Sequence, residues 1–142
     1  MSITPTAQLA GFVASLRFDD LPPDVVHQAG RFVLDALGCA IAAHAEDPAK
    51  ATRARQLVAG FNATGPASVI GGGLSDPALA PLANGILINA TDYDDTHKRA
   101  LIHVGSVVVP AALAVTEQTG GSGRDLITAL VAGYEVAARV GV

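Results

Sequence analysis

The chain has 142 residues, a length that fits one domain. Half of these residues are hydrophobic and the mean hydropathy is +0.40, so we expect a partner subunit or further sequence to cover part of the surface. The net charge is −4 and the basic residues are scattered, which argues against nucleic acid as a partner. The longest uncharged stretches (61–75, 77–91 and 100–116) are interrupted and too short for the ~20 continuous apolar residues of a membrane span.

Three helices are predicted in the first 60 residues from proline starts and apolar spacing. They run from Thr4 or Pro5 to about Arg17, from Pro22-Pro23 through Ile41, and from Asp47-Pro48 to Gly60. Residues 1–10 lack the basic start and apolar run of a secretory signal, which predicts a cytoplasmic protein. The lone Cys39 lies among alanines and is typical of a small core residue.

The second half of the chain is also predicted to be mainly helical. A short β-like segment, Ser68–Ile70, ends at a glycine triplet that indicates a turn, since no Gly-Lys-Ser/Thr of a phosphate loop follows. Three helices are expected from about Pro77 to Asp92, from Ser106 to Gln118, and from Arg124 to Arg139 after a Ser122 cap, with a loop from Asp94 to Gly105. Six helices without a strand of normal length predict an all-α domain. The last helix meets no stop signal before Val142, which predicts a truncated sequence.

A dense group of ionisable residues lies where the fourth predicted helix ends. Twelve positions hold three carboxylates, a hydroxyl, two imidazoles and two fixed positive charges: Asp92, Asp94, Asp95, Thr96, His97, Lys98, Arg99 and His103. Carboxylates this close repel one another, so the pKa of at least one should rise unless nearby cations compensate their charge. If the helix persists, Asp92 and Asp95 share a face. Such a group supplies a base beside proton donors, as needed to remove a proton next to a carboxylate.

Other interpretations of this segment remain open from spacing alone. Aspartates near a threonine are often only caps and turns. A metal site could use Asp92, Asp95, His97 and His103, although their spacing matches no standard pattern. A Ser/His/Asp triad would need a strand–turn–helix nucleophile elbow, which the sequence lacks.

Four motifs, in the same order, resemble the MmgE/PrpD family over nearly the whole chain. They are the helix at 34–42, the Ala-Asn-Gly at 83–85 leading to 92–97, the segment 103–106 running into 110–112, and 133–136. The family includes 2-methylcitrate dehydratase, cis-aconitate decarboxylase and iminodisuccinate epimerase. The resemblance implies that residues 1–142 are the amino-terminal part of a helical domain, without the family's α+β lid domain. It also implies a homodimer and chemistry without a metal or organic cofactor.

The resemblance assigns roles to individual residues of the loop. Asp92, Thr96 and His103 fall on active-site positions, with His103 transferring protons while Asp92 and Thr96 place or tune the substrate. His97, Lys98 and Arg99 are expected to bind substrate. Asp94 and Asp95 are expected to fix the loop through backbone N–H groups. Many family members carry proline after the histidine; Val104 stands here and is expected to loosen the loop.

The implied function is a cofactor-independent lyase or isomerase of small di- or tricarboxylic acids. We expect a hydro-lyase similar to 2-methylcitrate dehydratase, which abstracts a proton and eliminates water. The family's substrate-binding lysines and lid come later in its sequence, and a bound multi-anion needs several converging cations, so the isolated chain is predicted to be inactive. The alternative is a non-catalytic helical assembly module or an inactive remnant of such an enzyme.

Overall fold

The computed structural model describes residues 4–142, and this part of the chain is mainly helical. Six α-helices and two very short strands follow one another, which confirms the all-α prediction. In chain order they are α1 (Pro5–Ser15), α2 (Pro23–Glu46), α3 (Pro48–Ala59), β1 (Ala67–Ser68), β2 (Leu74–Ser75), α4 (Ala80–Ile88), α5 (Gly105–Thr119) and α6 (Gly123–Val140).

Side chains at the predicted helix starts bind the first free backbone N–H groups. Thr4 Oγ1 accepts a hydrogen bond from the third residue of α1, and Asp47 Oδ1 accepts one from Lys50 N–H at 2.9 Å. Ser122 and Asp125 form a reciprocal capping box at the start of α6. These local bonds account for the agreement between predicted and observed starts of these helices.

The fourth helix is shorter than predicted at both ends. Asp76 Oδ1 accepts a hydrogen bond from Ala78 N–H at 2.8 Å, so a turn precedes α4. Asn89 caps the helix, and Asp92 adopts a φ of 58° in the left-handed region. Asp92 therefore lies beyond α4, and the predicted common helical face of Asp92 and Asp95 is wrong.

The core is built around α4, which contacts α2, α3 and α5. Most of the buried hydrophobic side chains are alanines, which allow close helix packing. Gly85 permits the closest approach, because a Cβ there would lie 2.7 Å from the Ser106 carbonyl oxygen of α5. That oxygen has no partner four residues later within α5, since Pro110 lacks an N–H. The Asn-Gly pair is thus a packing feature of α4.

The β1–β2 hairpin is held between α4 and α5 by side chains. The buried Asn84 accepts a hydrogen bond from Ile70 N–H and donates one to the Ser68 carbonyl oxygen, both at 2.8 Å. From α5, the Glu117 carboxylate accepts Ser68 N–H at 2.7 Å and the Ser68 hydroxyl at 2.6 Å. A short strand is therefore present as predicted, but it covers Ala67–Ser68 rather than Ser68–Ile70, in a hairpin whose register is Ala67 with Ser75.

The longest helix, α2, has an apolar outer face. Within residues 4–142 it is the one helix long and apolar enough to cross a membrane by length and composition, although Arg31 and Asp35 interrupt it. It packs against α3, α4, α5 and α6, yet only 17% of its most apolar 18-residue stretch is buried. Leu34 and Ile41, one heptad apart, are 72% and 63% exposed. This outer face has no partner in the part of the chain described.

Candidate active site

The predicted site residues lie in the loop of residues 89–104, which joins α4 to α5. Its backbone reverses direction at two left-handed residues, Asp92 with φ 58° and Leu101 with φ 51°. His97 N–H donates to the Ile102 carbonyl oxygen at 2.9 Å, so residues 98–101 form a tight turn. A left-handed leucine costs about 1–2 kcal/mol, so the contacts of the loop must hold it in place.

The structure brings His103 between two carboxylates. Its Nε2 lies 3.5 Å from Asp92 Oδ1, and its Nδ1 lies 3.2 Å from Asp94 Oδ1. The Asp92 side chain is 82% exposed, whereas that of Asp94 is fully buried. One imidazole therefore connects an accessible carboxylate to an inaccessible one.

Asp94 is supported by side chains rather than by the loop backbone. Asn89, at the end of α4, donates from Nδ2 to Asp94 Oδ1 at 3.0 Å. Asp94 Oδ2 and His103 Nδ1 are buried and form no hydrogen bond to any described residue, since the 3.2 Å contact is bent. The prediction that Asp94 binds backbone N–H groups is wrong for the residues described. A buried carboxylate requires nearby hydrogen-bond donors, and Asn89 and His103 are the described side chains that contact it.

Asp95 points in a different direction and does hold the loop backbone. Its Oδ1 accepts a hydrogen bond from Gly105 N–H at 2.7 Å, as predicted. Burial raises the pKa of Asp95, and the negative charge of Asp94 adds to this rise. Hydrogen bonds from the Gly105 N–H and the neighbouring Tyr134 hydroxyl lower the pKa and so oppose it. The expectation of a raised carboxylate pKa is confirmed, but burial is the leading cause rather than mutual repulsion.

Tyr134 of α6 completes the surroundings of Asp95. Burial, and then the negative charge of Asp95, raise the pKa of Tyr134 far above its usual range. Its ring stacks on Phe32 of α2 with 4.6 Å between centroids. A side chain at position 105 would collide with Asp95 and the Tyr134 hydroxyl, so Gly105 allows these groups to meet at the start of α5. The next residue back, Val104, is 1% exposed and anchors the end of the loop.

The other predicted site residues do not contact His103 through any hydrogen bond or ion pair in residues 4–142. Thr96, Lys98 and Arg99 are exposed, and their side chains form neither kind of contact with described residues. His97 Nδ1 accepts a hydrogen bond from Ala100 N–H at 3.1 Å. His97 also lines a cavity of about 300 Å³ between α2 and α6, together with Phe32 and Tyr134. Their roles toward a substrate stay predictions.

The metal ligand set considered from the sequence is not gathered in the structure. Asp95 binds Gly105, and His97 faces the α2–α6 cavity. Asp92, Asp94 and His103 do offer three donor atoms within 4.8 Å of one another. Each ring nitrogen can donate a hydrogen bond to one of the same two carboxylates when it carries the proton, so this geometry does not require a metal ion.

The fold and this group of side chains define a helical domain that presents an imidazole between two carboxylates at a helix–helix connection. The family profile of the MmgE/PrpD N-terminal domain matches residues 7–142. The chain belongs to the MmgE/PrpD family.

Three curated fungal proteins are similar to the chain. It is 35% identical to a cis-aconitate decarboxylase-like protein, oryM, of Aspergillus oryzae, over 96% of this chain and 30% of that protein. Two cis-aconitate decarboxylases of Aspergillus terreus are 33% and 32% identical, each over 96% of this chain and 29% of the relative. The chain thus spans about 30% of the length of these relatives. No solved structure matches it significantly.

Proposed function

We propose that this chain supplies part of the active site of a lyase that acts on small polycarboxylic acids without a metal or organic cofactor. The observation that carries the proposal is the position of His103 between the exposed Asp92 and the buried Asp94. An imidazole held in this way can accept and return a proton at Nε2, which lies on the accessible side. Asp92 and Thr96 are proposed to place or tune the substrate, with His97, Lys98 and Arg99 as candidate carboxylate contacts.

Two lyase reactions share the required proton step. In a dehydration, a base removes a proton from a carbon next to a carboxylate, and the hydroxyl of the adjacent carbon leaves with another proton as water. In a decarboxylation, the bond to the carboxylate carbon breaks, carbon dioxide leaves, and the electron pair left on the skeleton takes up a proton. The sequence motifs led us to expect dehydration of a 2-methylcitrate-like substrate. The names of the relatives favour decarboxylation of cis-aconitate as the second candidate.

The assay uses the polypeptide translated from the complete open reading frame rather than residues 1–142 alone. The three acids 2-methylcitrate, citrate and cis-aconitate are supplied separately. Loss of cis-aconitate with release of carbon dioxide would identify the decarboxylase, and formation of an unsaturated acid from a hydroxy acid would identify the dehydratase. His103→Ala should lower kcat by ~10²–10⁴-fold, as expected for a lost general acid–base. His27→Ala, on the exposed side of α2, is the matched control and should retain activity. Equal activity of the two variants would refute a proton-transferring His103.

We also propose that residues 1–142 alone have negligible turnover. Among the described residues, Lys98 and Arg99 are the cations of the loop, and both are exposed. A tricarboxylate bound there would keep too few compensating charges once it lost water. Robust conversion of any of these acids by the 142-residue polypeptide would overturn this proposal.

The apolar outer face of α2 supports a second proposal, that the protein is a homodimer joined through this face. Leu34 and Ile41 protrude from it, and a Cβ at Gly30 or Gly38 would meet nothing within 4 Å, so a second helix could approach closely. Leu34→Glu should convert a dimer to a monomer in size-exclusion chromatography with light scattering. Gln56→Glu on the exposed side of α3 is the control. A dimer in both variants, or a monomeric parent chain, would contradict this interface.

The same experiment addresses the alternative of a non-catalytic assembly module. That function would be supported by a stable oligomer that binds none of the three acids in a titration. We do not propose a membrane role for α2, because Arg31 and Asp35 interrupt its apolar residues near the middle.

A further inference from the structure

We propose that Asp94 is the positioning residue of His103. Its buried carboxylate holds the proton of His103 on Nδ1, which leaves the lone pair of the neutral ring on Nε2, the nitrogen on the Asp92 side. The inference rests on the proposed proton transfer by His103 and adds which nitrogen performs it. It also separates the roles of two adjacent aspartates that the sequence treats alike.

The two ring nitrogens of His103 have different surroundings. Nδ1 is buried and lies 3.2 Å from a fully buried carboxylate, whereas Nε2 lies 3.5 Å from a carboxylate that is 82% exposed. A neutral imidazole has one N–H and one lone pair, and the partner of one nitrogen decides the state of the other. Water screens the Asp92 contact more strongly than the Asp94 contact, so Asp94 should determine the tautomer.

Unmet hydrogen-bonding capacity supports the same pairing. Asp94 Oδ2 and His103 Nδ1 are both buried and have no other partner among residues 4–142. Buried polar atoms are nearly always paired in folded proteins. Because His103 Nδ1 already lies 3.2 Å from Asp94 Oδ1, a small rotation of the ring would direct Nδ1–H at this carboxylate and satisfy the buried nitrogen.

Asn89 fixes the carboxylate in turn. Its Nδ2 donates to Asp94 Oδ1 at 3.0 Å, and its backbone N–H donates to the Gly85 carbonyl oxygen at the end of α4. The order of contacts is therefore the last turn of α4, then Asn89, Asp94 and His103. Such a chain restrains the imidazole from a rigid helix rather than from the loop alone.

Asp95 provides a matched control one residue away. It is also a partly buried carboxylate, but its partners are Gly105 and Tyr134, and it forms no ion pair with His103. Asp94→Asn and Asp95→Asn make the same chemical change. Of the two, only the Asp94 change should alter the tautomer of His103.

The first test measures the His103 tautomer by ¹⁵N NMR of the imidazole nitrogens, at a pH where the ring is neutral. His103→Asn assigns the signal among the four histidines of the chain. The parent chain and Asp95→Asn should show the Nδ1–H form. Asp94→Asn should shift the His103 population toward the Nε2–H form, because a neutral amide oxygen attracts the Nδ1 proton less strongly than a carboxylate does. An Nε2–H ring in the parent chain overturns the proposal, even if the Asp94 variant does not fold.

The second test separates the positioning role from the proposed function. In the encoded protein supplied with cis-aconitate or 2-methylcitrate, Asp94→Asn should lower kcat by ~10- to 10⁴-fold with little change in KM, and Asp94→Glu should recover part of it. If His103→Ala keeps its activity, the proposed function is refuted. The NMR measurement of the His103 tautomer still tests the Asp94 contact in that case. If His103→Ala is inactive but Asp94→Asn keeps full kcat, the positioning role alone is refuted.

Discussion

Replacing Asn84 with alanine should destabilise the fold by about 2–4 kcal/mol. Asn84 is 1% exposed, and its amide is hydrogen-bonded at 2.8 Å to both Ile70 N–H and the Ser68 carbonyl oxygen. Alanine removes both partners and leaves two partly buried backbone groups unsatisfied, each at about 1–3 kcal/mol. Glu117 still binds Ser68 from α5, so the hairpin should loosen without detaching. For a chain of this size the loss corresponds to a fall in Tm of ~5–15 °C.

The Asn84 prediction is measured by urea and thermal unfolding followed by circular dichroism. Amide hydrogen exchange should also accelerate at residues 67–75 more than elsewhere. Gln56→Ala on the exposed side of α3 is the control and should change stability by no more than about 0.5 kcal/mol. If Asn84→Ala is as stable as Gln56→Ala, the two hydrogen bonds do not hold the hairpin, and the structural explanation of the Asn-Gly motif fails.

Three further predictions follow from single contacts. Gly85→Ala should cost about 1–3 kcal/mol in urea unfolding, because its Cβ would meet a backbone carbonyl of α5. Gly11→Ala in α1 has open space and should not destabilise, and equal effects of the two changes would refute the close approach. Burial raises the pKa of Asp95 above its ordinary value of 3.8, and this shift stabilises the folded protein at low pH. That contribution to the free energy of unfolding is lost as the pH rises through the raised pKa. The Tm of Asp95→Asn should therefore vary less with pH in that window, and an unchanged profile would count against it. Lys50→Met removes an Nζ–H bond to the Ala90 carbonyl oxygen at 2.6 Å and should cost about 1–2 kcal/mol by denaturant titration, unlike a change at exposed Arg53.

The helix starts could be predicted because their determinants are local in sequence. Thr4, Asp47 and Ser122 each bind N–H groups three residues ahead, so a short window contains the whole interaction. The end of α4 had no comparable signal. Helical spacing continues through residues 89–92, and the groups that bind the chain as it leaves the helix are distant. Lys50, for example, reaches the Ala90 carbonyl oxygen from 40 positions earlier.

Two members of the candidate site could be predicted from the sequence, but the arrangement of the site could not. Asp92 and His103 were expected together from the family resemblance, and the structure places them 3.5 Å apart. The different roles of Asp94 and Asp95 could not be obtained from their order. Asp92 adopts the left-handed region, and beyond it the two adjacent carboxylates point in different directions, Asp94 toward His103 and Asp95 toward Gly105. The positive φ of an aspartate depends on tertiary contacts, because aspartate tolerates the left-handed conformation but does not require it.

The acidic loop and the close helix packing depend on each other. Gly85 lets α5 approach α4, and Gly105 lets Asp95 bind the first N–H of α5, so the loop between these two helices is drawn tightly against the core. Asp94 is buried as a consequence, and a buried carboxylate is tolerable only with partners in reach. Asn89 supplies one from the helix before the loop, and His103 supplies the other from its far end. The packing that buries Asp94 therefore also fixes the imidazole, and a substitution that separated α4 from α5 would disturb both at once.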